Sequence, residues 1–529
     1  MQDLPPDPAP VARAPSRARL RLWLEPTDLP ELRTARPLQE RVEPHPSRQR
    51  LRTVYFDTAD LALARGGFTL RVRRLGHRHL QTVQGVASPL AESRSQVEGP
   101  VPALEPDFER IPGAELRAHL TQIVAAAPLR PIVEIETLRT EQAVRTARSE
   151  IRLVLDEGQL RTSRGAVPIA EVELELVRGQ SQDLYTLALE LQQTALLRIA
   201  TRSALERGLG QLTGAVPTPS RAGRIELPDD ATLEQTLEAT FRSCFDQILA
   251  NEEPARLGLD PESVHQLRVG VRRMRSALSL FKQALPDAQR RALQPELRWL
   301  ARELGRARDL DVFIEGTLDP LRRRFPDDAG IKRLADEAGE LRGHAYDALR
   351  ITLDSMRYAE LMLRIGAWLT GRAWREQPLT PEAASLFLPG RAKASELLRK
   401  RRRKLRRLGH DFERANIDEL HQLRLEAKKL RYAAEFLKPL FPRRKRRPYL
   451  RATSALQDTL GHLNDTSTAS RLLDELLGRL DEESRPACLR AMGFVEGWVS
   501  RSAELHLEKL PSVWRKLERA RPFWRHPNH

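Results

Sequence analysis

Two short segments carry the residue types most suited to chemistry: VHQLRVGVRRMR from Val264 and LHQLRLEAKKLR from Leu420. Wound on a helix at about 100° per residue, His265, Arg268, Arg272 and Arg275 fall within one arc of about 80°. An apolar stripe of Leu267, Val271, Met274, Leu278 and Phe281 adjoins it. The second segment repeats this with His421, Arg424, Lys428 and Arg431 beside Leu423, Ala427 and Leu430, while Arg273 and Lys429 point elsewhere. Three cations headed by an imidazole suit a linear anion whose charges recur along its length, because each step meets a further donor. A single basic stripe on an amphipathic helix is more often a solvated face; its recurrence with the histidine kept argues for a ligand. A metal site does not fit, since neither histidine has a second His or Cys at i+3 or i+4 and the cations would repel a metal. Below about pH 6.5 a charged imidazole is expected to add one cation per repeat and tighten anion binding.

The elements behind these rows form a repeat. His265 and His421 are 156 residues apart, and so are LGRARD from Leu304 and LGHLND from Leu460. Two matches in one register imply a duplicated helical unit, two helix bundles related by a pseudo-two-fold axis. From Ala231 onward Leu, Ala, Arg and Glu dominate, and the breakers PDDAG, PLTPEA and FPRRKRRPY separate helices. Ile225 to His529 holds 57 basic and 45 acidic residues, so +12 of the formal +16 charge lies here. The densest run, RAKASELLRKRRRKLRRLGH, predicts a helix too basic to face only water and a possible wall of the same groove; RRKRRP at Arg443 reads as a charged loop.

The N-terminal part has another texture. RARLRLWLEP, Arg17 to Pro26, alternates as a strand does, with Leu20, Leu22 and Leu24 on one face and Arg19, Arg21 and Trp23 on the other. RTVYFDT, FTLRVRR, LQTVQG, SEIRLVLDEG and AEVELELV are likewise short, often alternating, and punctuated by Gly or Pro. The boundaries expected are a disordered Pro-rich tail over 1–18, a strand-rich domain over 19–212, a linker over 213–230, a helical domain over 231–520 and a tail over 521–529. The fold class is α+β multidomain, an antiparallel barrel-like domain followed by an all-α domain of two four-helix bundles.

The whole chain of 529 residues bears a formal charge of +16, which favours polyanions: nucleic acid, polyphosphate or an anionic membrane face. Aromatics at 5% argue against base stacking. Cys244 and Cys488 support neither a disulfide framework nor a zinc site. No apolar run approaches the roughly 20 residues of a membrane helix and the start lacks an apolar signal core, so a cytoplasmic protein is expected.

VHQLRVGVRRMRSALSLF, LRWLARELGRARDLDVF, LHQLRLEAKKLRYAAEFL and LQDTLGHLNDTSTASRLL resemble the four signature segments of the CHAD family, the conserved-histidine α-helical domain, over roughly 231–520. The resemblance implies a basic cleft or pore that binds inorganic polyphosphate. Carried over by position, His265, Arg268, Arg272, Arg275, His421, Arg424, Lys428 and Arg431 become the expected phosphate contacts, with Arg306 and Arg308 as additions. TVYFDTADLALARGGFTLRVRRLG, LQTVQG, IRLVLDEG, AEVELELVRG and TRSALERG resemble the CYTH family, the triphosphate tunnel fold, over roughly 19–212. That family is expected to hold Mg²⁺ or Mn²⁺ on inward carboxylates and a triphosphate on inward Lys and Arg.

This sequence departs from the CYTH pattern where the chemistry would sit. Arg19, Arg21 and Trp23 replace the E-x-E-x-K residues, Gln84 and Ala204 replace lysines, and Gln96 and Arg152 replace glutamates. Arg71, Arg73, Arg94, Arg139, Glu171, Glu173 and Glu175 remain, with Glu98 in the R-x-E-x-E segment. The reading is a polyphosphate-binding protein with a retired tunnel, using no cofactor and no metal, in which Arg–Glu pairs take the metal's place and Trp23 plugs the space left by substrate. It would dock on polyphosphate granules. The alternatives are a Mg²⁺- or Mn²⁺-dependent inorganic triphosphatase with relocated ligands and, less favoured, a nucleic-acid binder. Oligomeric state is not legible.

Overall fold

The computed structural model describes residues 18–41, 46–85, 96–378, 380–410 and 412–524. Arg94 and the tail over 1–17 lie outside them. The chain forms two compact units, 1–216 with 362–371, and 217–361 with 372–529.

In the first unit nine strands form one antiparallel sheet: β1 Arg19–Trp23, β2 Ser47–Asp57, β3 Phe68–Leu75, β4 Arg78–Gly85, β5 Gln96–Val101, β6 Arg130–Arg145, β7 Glu150–Thr162, β8 Gly165–Arg178 and β9 Arg198–Ile199. Their spatial order is β5-β4-β3-β2-β6-β7-β8-β1-β9. Its longer helices are α1 Ala114–Val124, α2 Gln182–Leu191 and α3 Ala204–Thr213. The alternation of β1 does the work expected of it. Leu20, Leu22 and Leu24 are buried in a cluster with Leu184, Leu187 and Leu191 of α2. The opposite face is left to charged residues. Residues from both edge strands, Gln96 and Glu98 at one end and Ile199 at the other, line one cavity, so the sheet wraps around it. Residues 362–371, expected inside the helical domain, pack with this first unit, and Leu363 joins the β1–α2 cluster.

The second unit is helical: α4 Leu233–Leu257, α5 Pro261–Leu280, α6 Asp287–Phe313, α7 Ala329–Leu353, the start of α8 Met356–Thr370, whose residues from 362 belong to the first unit, and α9 Gly390–Leu408, α10 Ile417–Leu437, α11 Arg443–Leu477 and α12 Arg485–Arg519. The starts of α5, α6 and α7 precede those of α10, α11 and α12 by 156 residues each, and α4 precedes α9 by 157. The duplication therefore spans four helices per copy. Within each copy successive helices are neighbours, α4–α5–α6–α7 and α9–α10–α11–α12, and α5 meets α10 between the copies. The apolar stripes build the cores: Leu267, Val271, Met274 and Leu278 are buried, as are Leu423, Ala427 and Leu430.

Two expectations need correction. RRKRRP is no loop but the first turns of α11, which continues through Pro448 to Leu477. The segment from 521 is no tail up to residue 524: Phe523 and Trp524 are buried, both edge-on to Tyr449, Trp524 at 4.7 Å between ring centroids.

Candidate functional site: a cationic meeting of two repeats

In the helical unit the structure brings residues of both rows to one place. Asp309 on α6, buried enough for its carboxyl to be pushed above the usual range, sits in the field of Arg268 and Arg308 of the first copy and of Arg471 and Arg424 of the second. Arg471 lies 3.5 Å from it. A little further along, Arg272 Nε donates to Tyr432 Oη at 2.7 Å, α5 to α10. Arg268 is itself largely buried, and that burial together with Arg272 and Arg308 lowers its pKa. So many guanidiniums with one carboxylate among them form a site that lacks anionic charge.

The two histidines differ. Burial, then Arg308, Arg272 and Arg268, push His265 from 6.5 down to about 4, although Glu262 opposes them. His265 is thus neutral near pH 6.5, which corrects the expectation of a charged imidazole there. His421 is exposed.

Other predicted residues are placed less directly. Arg306 forks onto Glu475 of α11, with Nη2–Oε1 at 2.5 Å. Arg431 binds Glu435 at 2.9 Å and is half neutralised. Arg275 is exposed at the far end of its row, with Arg298 as its charged neighbour. Arg273 points away as expected, buried, with Nη1 donating to Gln247 Oε1 at 2.6 Å. Lys429 joins Lys404 on the buried carboxylate of Glu426, at 2.6 and 2.9 Å. Sequence reasoning missed Asp309, Arg471 and Tyr432. The first had a signal: an aspartate ends both LGRARD and LGHLND, at 309 and 465. The side chain of Asp465 lies outside the described residues.

The tunnel of the first unit remains open, a cavity of about 990 Å³. Arg19, Arg21, Arg71, Arg73, Gln84, Gln96, Glu98, Arg139, Arg152, Glu171, Glu173 and Ala204 line it, as strand alternation requires. β1 lies antiparallel to β8, with Arg19 opposite Glu175, Arg21 opposite Glu173 and Trp23 opposite Glu171. Arg19 pairs with Glu173 at 3.5 Å and Glu175 at 3.3 Å, and Arg152 also binds Glu175. Arg207 binds Glu171, and Arg139 grips Asp156 with two bonds of 2.9 and 2.7 Å. Trp23 does not plug the space: it is absent from the lining, and the Arg198 guanidinium lies 4.6 Å from its ring centroid.

The tunnel is not neutralised evenly. Arg73 donates to Thr53 Oγ1 at 3.3 Å, and burial with Arg71 and Arg139 lowers its pKa. Among the described residues no carboxylate pairs with Arg71 or Arg73. The Mg²⁺ or Mn²⁺ of the CYTH pattern does not fit the residues present. Arginines occupy three carboxylate or lysine places, the surviving Glu173 and Glu175 are engaged by them, and no three His, Cys, Asp or Glu among the described residues converge as ligands.

Comparison with known proteins agrees with the division into two domains. The CYTH domain family matches residues 21–209 and the CHAD domain family residues 239–474. The crystal structure of a CHAD domain from the plant Ricinus communis is 31% identical, with a TM-score of 0.50, covering 57% of this chain and 98% of that one. Two uncharacterized proteins of Mycobacterium tuberculosis strains are 27% identical over 420 residues, 74% of this chain and 77% of theirs. A protein of Haemophilus influenzae named inorganic triphosphatase is 26% identical over 159 residues, 30% of this chain and 45% of its own. Among the described residues no helix is long and apolar enough to cross a membrane. The chain belongs to the CYTH–CHAD proteins, a triphosphate-tunnel domain followed by a conserved-histidine helical domain.

Proposed function

We propose that the helical unit binds inorganic polyphosphate and that the tunnel unit no longer hydrolyses triphosphate. The observation that carries the first part is the convergence of Arg268 and Arg308 with Arg424 and Arg471 about Asp309. Guanidiniums drawn from two helices of each copy suit a chain that presents phosphates in succession, and each is a forked donor matched to phosphoryl oxygens. The protein would dock on cytoplasmic polyphosphate bodies through this surface. Long-chain polyphosphate titrated into the full chain should bind tightly and with steep salt dependence. Competition by duplex DNA at the same salt separates this from nucleic-acid binding.

A second reading, a metal-dependent inorganic triphosphatase with relocated ligands, draws on the Haemophilus relative and on the open cavity. Against it stand the pairs Arg19–Glu173, Arg19–Glu175 and Arg152–Glu175, which consume the carboxylates a metal would need. Phosphate release from tripolyphosphate with Mg²⁺ or Mn²⁺ decides between them.

A further inference from the structure

The basic run on α9 is divided between two sides of its helix. On one side Arg401 donates to Ser279 O and Oγ at 3.2 Å, and Lys404 binds Glu426. On the other, Arg399, Arg402, Arg403 and Arg406 follow one another at i, i+3, i+4 and i+7 and so share a face. That face and the C-terminal Pro522 and Trp524 enclose a separate cavity of about 240 Å³.

The cavity's charges are largely uncompensated. Arg406 binds Glu518 at 3.2 Å. Arg399 reaches the Ser395 carbonyl at 3.3 Å, and among the described residues no carboxylate pairs with Arg399, Arg402 or Arg403. The fully buried Tyr449 has its hydroxyl in the field of Arg402 and Arg406. Trp524, which lines the cavity, stands edge-on to Tyr449 at 4.7 Å between ring centroids. The volume gives room for a compact anion.

We propose that this pocket is a second anion site, separate from the meeting of the repeats, that takes a compact phosphoryl group on Arg399, Arg402 and Arg403. Forked donors at helical spacing can share the oxygens of one phosphoryl group, and Trp524 closes the pocket on its apolar side. The same chemistry is offered by a small free phosphate and by the end group of a longer chain. The proposal does not depend on the cleft binding polyphosphate.

Pyrophosphate is the probe, titrated calorimetrically at low salt into the full-length R268A/R424A chain and into the same chain with R399A/R403A added. Arg399 and Arg403 are exposed, so their loss should leave the melting curve unchanged. The expected result is saturable binding to R268A/R424A, in which the cleft is weakened, reduced about tenfold or more when R399A/R403A is added to it. Long-chain polyphosphate, titrated into R268A/R424A with and without R399A/R403A, then tells the sources apart. Residual binding that needs Arg399 and Arg403 assigns the pocket to chain ends, and its absence assigns the pocket to small phosphates. Pyrophosphate affinity that is unchanged when R399A/R403A is added to R268A/R424A, or no pyrophosphate binding to R268A/R424A, would overturn the proposal.

Discussion

Arg272 of the first repeat donates its Nε–H to the hydroxyl of Tyr432 in the second, at 2.7 Å. Residue 276, the repeat partner of Tyr432, is a serine, so the tyrosine belongs to the second copy alone. One arginine of the expected phosphate row therefore also holds the two copies together. Y432F should lower stability by about 1 kcal/mol, toward the low end for a bond to a charged donor because Arg272 is part-exposed. Its polyphosphate affinity should fall less than that of R272A. Equal losses in calorimetry would make Arg272 a structural residue, not a ligand.

The imidazole of His265 is held at about 4 by burial and by Arg308, Arg272 and Arg268. A bound polyanion would cancel those cations and raise that value, so binding takes up a proton. The sign follows: affinity is flat from pH 8 to about 6.5 and tightens as pH falls below about 6. H265N should reduce the acid-side gain at constant salt. For folding the sign is opposite, because the unfolded histidine titrates near 6.5. Native stability without ligand is then complete above about pH 6.5 and declines as pH falls toward 4, with a smaller decline in H265N thermal melts.

Asp309 sets an anion among Arg268, Arg308, Arg424 and Arg471. In D309N one negative charge leaves a cationic site, so polyphosphate should bind about threefold to tenfold tighter at low salt. The gain should shrink as salt rises. Weaker binding by D309N would mean that the aspartate orders the guanidiniums more than it competes with the ligand.

Glu175 is 3% exposed in its side chain and accepts from both Arg19 and Arg152. R152A removes one of these partners and should cost about 1 kcal/mol, a modest figure because Arg152 is itself 44% exposed. The same variant should not create metal-dependent phosphate release, since Arg19 still holds both glutamates. Thermal melts and a colorimetric assay with Mn²⁺ check the two halves.

Much of this was legible in the residues. Alternation in RLRLWL separates Leu20 and Leu22, under α2, from Arg19 and Arg21, in the tunnel, because a strand has only two faces. The 156-residue offset seen in two motifs extends to α5–α7 and α10–α12. What failed involved partners distant in sequence. Nothing around Arg306 announces Glu475, 169 residues away, and nothing around Trp23 announces Arg198. The histidines read alike in the two segments, yet packing half-buries one and exposes the other. The terminal RPFW looks like a tail, but its aromatics find Tyr449 and the end of the second copy.

The central claim, that the meeting of the repeats is the polyphosphate site, is tested most directly by one titration. Long-chain polyphosphate is added to the full chain and to R268A/R272A/R424A/K428A at a single salt concentration, with folding verified by circular dichroism. The account predicts that the folded variant binds at least about a hundredfold more weakly, since four phosphate contacts of roughly 1 kcal/mol or more each are removed. An unchanged affinity in the folded variant would contradict it.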